Sequence, residues 1–315
     1  MPVAVVAVGG NSLMGEEGEE SVPHQYSAAV KTMRHVADMI EKGWNVVISH
    51  GNGPQVGFIL LRAELAKEQA GLHGVPLDSC VADTQGAIGY NFQQILKNEF
   101  DQRGIDKEAV TVVTRVEVDK NDPAFDNPAK PIGPFMEEEE ARQHEKEDGW
   151  DVVEDSGRGW RRVVPSPKPK RIVEQNAIET LIDANQSVVA VGGGGIPVYR
   201  RDDGMLAGIP AVIDKDRASS LLATNIDSDL FMISTDVDKV CLNFGEPDEE
   251  ELDSITISEA QQYIDEGHFA PGSMKPKVEA AVEFLENGGE RAIITSPANM
   301  PAALDGDAGT QIVRG

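Results

Sequence analysis

Three glycine turns, Gly9-Gly10-Asn11, Gly51-Asn52-Gly53-Pro54 and Gly192-Gly193-Gly194-Gly195, each follow a short apolar, β-branched run. Two lysine-bearing segments come later, Asp214-Lys215-Asp216 and Gly272-Ser273-Met274-Lys275-Pro276-Lys277. A strand that ends in a glycine turn and reopens as a helix aims bare backbone N–H groups and a helix N-terminus at an anion. Several such turns with lysines added predict a phosphate gripped from many sides. The chemistry this suits is phosphoryl transfer, whose loose transition state needs positioned positive charge more than covalent help.

Each residue also has a plainer reading. Lys215 lies either exposed at a helix start capped by Asp214, or charged and oriented by its flanking carboxylates toward a transferring group. Lys277 opens a helix after a Gly-Ser-Met turn, where a helix N-terminus and a cation together cradle phosphate. Lys130, in the proline-stiffened stretch 127–134, is a surface lysine by default. The alternative is a cation that a mobile loop lays over a small anion. Asn11 and Asn52 either donate side-chain amides to a phosphoryl or carbonyl oxygen or stabilise their turns. His50 has no acid or cysteine partner and reads as structural. The glycine turn at 192–195 lacks the G-x-G-x-x-G spacing of a dinucleotide site, and the chain contains no G-x-x-x-x-G-K-[ST] phosphate loop. No Cys/His spacing resembles a zinc site.

The elements that must position these residues follow a β-loop-α rhythm. Strands are predicted at 3–8, 45–49, 109–114, 187–191, 230–234, 240–243 and 291–295, with 310–313 closing the sheet. Helices are predicted over 25–42, from Pro54, from Asp78 through Gln85, Tyr90, Phe92 and Ile95, and over 172–184. The rhythm predicts a mainly parallel sheet covered on both faces. It breaks between about 117 and 165, where prolines and an acidic run interrupt it. Phe125, Phe135, Trp150 and Trp160 give that stretch apolar anchors, so it reads as a small folded excursion from the main sheet.

The 315 residues suffice for one large or two ordinary domains. No run approaches the roughly 18 apolar residues of a membrane helix, and the start reads as a core strand rather than a signal peptide, so a cytoplasmic protein is expected. With 54 acidic against 28 basic residues the net charge is -26, which repels nucleic acid and anionic lipid at long range. That excess suits a high-salt cytoplasm, where screening tolerates it. Cys80 and Cys241 are too few for a disulfide framework and read as two reduced, buried thiols.

Longer strings carry a resemblance. Ala7-Val8-Gly9-Gly10-Asn11-Ser12-Leu13, Ser49-His50-Gly51-Asn52-Gly53-Pro54-Gln55-Val56-Gly57, Gln85-Gly86-Ala87-Ile88-Gly89-Tyr90, Arg161-Arg162-Val163-Val164-Pro165-Ser166-Pro167-Lys168-Pro169 and Ala211-Val212-Ile213-Asp214-Lys215-Asp216 are similar to the carbamate kinases of the amino acid kinase superfamily. So are the stretches 127–135, 191–197 and 272–279, and the match covers nearly the whole chain. The acid enrichment resembles haloarchaeal members. Lys275 departs from the pattern, since a small or apolar residue is commoner there.

The resemblance implies a three-layer α/β/α sandwich with a mainly parallel open sheet and a small inserted subdomain at about 117–165. It implies an N-terminal lobe, 1–205, for carbamate and dimerisation, and a nucleotide-binding lobe, 206–315. The implied activity is reversible phosphorylation of carbamate by ATP, with magnesium riding on the phosphates of ATP or ADP. In fermenting cells it runs toward ATP, downstream of arginine deiminase and ornithine transcarbamylase. Gly9, Gly10, Asn11, Gly51, Asn52 and Gly53 would surround the transferred group, with Gly193 and Gly194 beside it. Lys215 and Lys277 would neutralise it, Asp216 would orient lysine, and Lys130 would reach in from the insert. Asp214, Lys215, Thr235, Met274 and Lys277 would meet the nucleotide. Other acceptors within the superfamily, or a non-catalytic nucleotide sensor on the same fold, are the alternatives.

Overall fold

The computed structural model describes residues 1–10, 13, 21–155 and 159–315. Its main sheet has eight strands, numbered here in chain order. They are β1 (Val3–Val8), β2 (Asn45–His50), β3 (Ala109–Thr111), β4 (Ser187–Val189), β5 (Leu230–Ser234), β6 (Ser254–Thr256), β7 (Arg291–Thr295) and β8 (Thr310–Val313). Their spatial order is β6-β8-β7-β5-β1-β2-β4-β3. From β3 to β7 the strands are parallel; β8 runs antiparallel to β7, and β6 pairs parallel with β8. The central strands are continuous apolar runs because both of their faces are covered.

Alternation along each strand divides the core into two layers. Val6, Ile48 and Met232 face α1 (Val22–Glu41), α3 (Leu77–Arg103) and α9 (Met300–Asp305). Val5, Val47, Phe231 and Ile233 face α5 (Gln175–Asp183), α6 (Lys215–Asn225), α7 (Ile257–Glu266) and α8 (Met274–Glu286). The expected three-layer α/β/α sandwich is present. Among the described residues no helix is long and apolar enough to cross a membrane.

The excursion is folded. Strands Lys130–Met136, Trp160–Val164 and Asp151–Glu154 form an antiparallel sheet with α4 (Glu138–Glu147) packed on it. Met136, Ala141 and Val152 make its small core, with Trp150 and Trp160 against them. Phe125 instead joins the main core. The insert leans on α2 (Gly53–Ala70), where a methyl group on Gly57 would fall 2.0 Å from the Gly133 Cα.

Several expectations are corrected. Residues 310–313 do not close the sheet, because β6 lies outside them. Val240–Leu242 leaves the main sheet to pair with Glu250–Leu252. Buried Thr310 holds that ribbon in place, accepting from the Val240 N–H and donating to the Leu252 carbonyl. Ile172 is in a strand, not a helix. With Arg171 it joins Arg115–Glu117, Ile196–Arg200 and Leu206–Gly208 in a four-stranded sheet that the hydrophobic pattern did not disclose. Cys80 is buried, but Cys241 is only half-buried on the ribbon.

Candidate active site

Sheet register brings the turns together. Val8 pairs with His50 on one side and with Ser234 on the other, so Gly9, Gly51 and Thr235 emerge at one level of the carboxyl edge. The Gly9 N–H donates to the Ser234 carbonyl and the Gly51 N–H to the Val8 carbonyl, both at 2.9 Å. The turns touch: a Cβ on Gly51 would lie 2.7 Å from the Gly10 nitrogen. This edge is where parallel α/β sheets gather ligands.

The lysines converge on the same edge. A Cβ on Gly51 would also lie 3.5 Å from Lys215 Cδ, so the Lys215 stem runs along the turn. Lys215 is the first residue of α6 and is 7% exposed, which removes the reading of a solvent-facing lysine. The cap is real as well: Asp214 Oδ1 accepts from the N–H groups of Asp216 at 2.9 Å and Arg217 at 3.2 Å. Asp216 spans two cations, with Oδ1 on Lys215 and Oδ2 at 3.4 Å from Lys277 Nζ. Lys277 also donates to the Ser273 carbonyl at 3.3 Å. Lys130 reaches in from the insert to Asp214 Oδ2 at 2.5 Å. Lys275, the departure from the family pattern, turns instead toward Glu279 at 3.9 Å.

Burial and charge oppose each other across the cluster. Burial draws the Lys215 ammonium below its ordinary pKa against the pull of Asp216, and neighbouring Lys277 adds to the drop. Burial works the same way on Lys277, but Asp216 and Asp214 prevail and hold its pKa up. Burial favours protonation of both carboxylates. Lys130 outweighs it at Asp214, and Lys215 with Lys277 outweighs it at Asp216, so both lie below the usual carboxylate range. The result is a tightly packed lattice in which basic and acidic side chains alternate.

Other expected residues occupy supporting positions. Asn52 is buried and its Nδ2 donates to Thr84 Oγ1 at 2.9 Å, so this donor locks the turn rather than reaching a ligand. Gly193 and Gly194 have φ of 64° and 85° and are themselves buried, one packed on Asn52 and the other on the Ile213 carbonyl. Gly53 opens α2 close to the Pro131 carbonyl and Arg161. Thr235 is half-buried and its N–H donates to the Thr295 carbonyl at 2.9 Å. Half-buried Met274 opens α8, one turn before Lys277. Asn11 lies outside the described residues.

Sequence reasoning passed over Arg161. Its guanidinium donates to the Gly133 carbonyl at 2.9 Å, pairs with Asp155 at 3.2 Å and covers the Phe135 ring at 5.1 Å. Adjacent strand residues face opposite sides, so one arginine of the Arg161-Arg162 pair had to face each way; Arg162 goes to Glu64 at 2.9 Å. Ser234, Thr295 and Ser296 were passed over too. Their hydroxyls are buried at the carboxyl ends of β5 and β7 with no hydrogen-bond partner among the described residues. Such orphaned groups are costly unless water or a ligand meets them.

Comparison with known proteins agrees with this geometry. Residues 2–296 match the model of the amino acid kinase family. The chain is 50% identical over 313 residues to the carbamate kinase-like protein YahI of Escherichia coli, covering 99% of each chain. It is 48% identical over 315 residues to the carbamate kinase of Thermococcus kodakarensis, covering 100% of both. The carbamate kinase of Giardia lamblia bound to citric acid superposes with a TM-score of 0.94 at 41% identity, covering 100% of this chain and 99% of that one. The same enzyme bound to AMP-PNP superposes at 0.90 with 42% identity and the same coverage. With its fold, its glycine turns and its identities all in accord, the chain belongs to the amino acid kinase family, among the carbamate kinases.

Proposed function

We propose that the chain is a carbamate kinase, transferring a phosphoryl group reversibly between ATP and carbamate to give carbamoyl phosphate and ADP. The observation that carries this reading is the convergence of Lys130, Lys215 and Lys277, interleaved with Asp214 and Asp216, beside the touching Gly10 and Gly51 turns. Carbamate already bears charge on its attacking oxygen, so no side chain has to remove a proton. What remains is positioning and charge neutralisation. Lys215 and Lys277 meet the transferred group, and Asp216, bound to both, fixes their separation. Gly10 and Gly53 offer backbone N–H groups, with Asn11 added from the first turn, while Gly9 and Gly51, whose own N–H groups are taken by Ser234 and Val8, let the two turns approach the group closely.

The finer features belong to the same proposal. Residues 1–205 hold carbamate and the dimer contact, and 206–315 hold the nucleotide, with Thr235 and Met274 against it. AMP-PNP bound to the Giardia enzyme supports ATP as a substrate. Magnesium adds charge neutralisation on the phosphates when bound. Asp214 and Asp216 are already engaged by ammonium groups, which fits an ion held chiefly by phosphate oxygens and water. The protein acts as a cytoplasmic homodimer in a salt-rich cell and forms ATP in arginine fermentation, with the acidic composition supporting the salt-rich setting. The three lysines weigh against a non-catalytic sensor, and the full-length identities weigh against another acceptor.

The test is a coupled assay for ATP formed from carbamoyl phosphate and Mg-ADP, at low and at molar KCl. Turnover is expected in the intact chain. Lys215→Ala should lose it by at least about 100-fold, the scale of removing one transition-state charge partner. No ATP at either salt from folded protein would overturn the assignment.

A further inference from the structure

Asp214 divides its carboxylate between two elements far apart in the chain. Oδ1 caps α6 through the N–H groups of Asp216 and Arg217, while Oδ2 holds the Lys130 ammonium at 2.5 Å across 84 residues. A helix cap needs only an acceptor oxygen, and asparagine serves as well as aspartate. An ionised carboxylate whose side chain is only 14% exposed is costly unless its charge is matched. Here Lys130 supplies the match. Lys130 opens the insert strand Lys130–Met136, whereas α6 carries Lys215 and Asp216, so the pair fastens the insert to the helix that starts the lysine cluster.

We propose that Asp214 is a positioning residue for phosphoryl transfer, holding the Lys130 ammonium beside the lysine cluster until an incoming anion draws it over. The proposal rests on the carbamate kinase reading above. While Lys130 stays on Asp214 its charge is cancelled locally. Its field reaches a substrate anion only when that anion shares the ammonium or takes it. The carboxylate therefore sets where the cation starts and how strongly the substrate must attract it. It also keeps the insert docked between turnovers.

The decisive variant is Asp214→Asn, which keeps the cap oxygen and removes the charge. With carbamoyl phosphate and Mg-ADP, kcat should fall about tenfold, the scale of a broken contact pair. The KM for carbamoyl phosphate should drop at the same time, because Lys130 no longer has to leave a carboxylate. In a Lys130→Ala background the same change should alter kcat by less than about twofold. Independently of turnover, amide hydrogen exchange over Lys130–Met136 should quicken in Asp214→Asn. Lys130→Gln, which leaves the cap intact, should quicken it likewise.

A raised KM for Mg-ADP with the carbamoyl phosphate KM unchanged would assign Asp214 to the nucleotide and overturn the proposal. Equal effects in both backgrounds, or unchanged exchange in both variants, would overturn it too. If the intact protein makes no ATP, the kinase reading fails, and the exchange experiment still decides whether Asp214 holds the insert.

Discussion

His50 shows how closely the site is built at the level of single residues. It ends β2 fully buried, with Nδ1 hydrogen-bonded to the Gly51 carbonyl at 3.0 Å and its ring edge-on to Phe92 at 5.7 Å. Burial pushes its pKa from 6.5 down to about 4; Lys215 adds to the drop, and the bond to Gly51 opposes it. The folded pKa is thus depressed, so the unfolded chain takes up a proton at a pH where the folded one refuses it. Stability that is complete above about pH 6.5 is lost as pH falls toward 4. Denaturant titrations at pH 7 and pH 5 check this. Between them the wild type should lose about 2 kcal/mol more than His50→Asn. Parallel losses would mean that His50 is hydrated and protonates freely.

At the scale of elements, the geometry depends on how the insert meets α2. Gly133, at φ 74°, packs its backbone against Gly57, and Arg161 pins the Gly133 carbonyl from the other strand. Lys130 lies three residues before Gly133 on the same strand, so this contact sets the reach of its ammonium. Gly57→Ala must force helix and strand apart, because a methyl 2.0 Å from the Gly133 Cα has no room. Overpacking of this kind costs about 1–3 kcal/mol. Turnover should fall as well, since Lys130 moves with the strand. Thermal melts and kcat measured side by side check both. A variant with wild-type values would show that the insert slides without consequence. The helix starts differ in a related way: α6 is capped by Asp214, whereas α2 and α8 begin without a side-chain cap.

The whole molecule sets an acidic exterior against a compact cluster of three lysines and two aspartates at the sheet edge. A net charge of -26 spread over 14490 Å² of accessible surface repels itself at low ionic strength. Screening shortens that repulsion from about 10 Å at 0.1 M salt to about 3 Å at 1 M. The melting temperature should therefore rise from dilute to molar KCl, and calorimetry across a KCl series reads this directly. The buried lysine lattice is screened much less, so a fall in melting temperature with salt would mean that paired charges, not self-repulsion, dominate stability.

Much of this protein is legible in its residue order, because local features depend on near neighbours. Val3–Val8, Asn45–His50 and Leu230–Ser234 announce themselves as apolar, β-branched runs, and the glycines after them mark the turns. The roles of Lys215 and Lys277 could be framed from their flanking residues alone. Tertiary structure decided the rest. It chose Thr84 as the partner of Asn52, drew residues 240–242 out of the main sheet, and assembled the four-stranded sheet from segments spread over 115–208. It placed Arg161 behind Gly133 and laid Lys130 on Asp214. None of these contacts joins chain neighbours: they follow from sheet register and the docking of the insert, which pattern and propensity do not encode. The types of charge in the site were written in the sequence, while their pairing arose only when strands distant in the chain came level at one edge of the sheet.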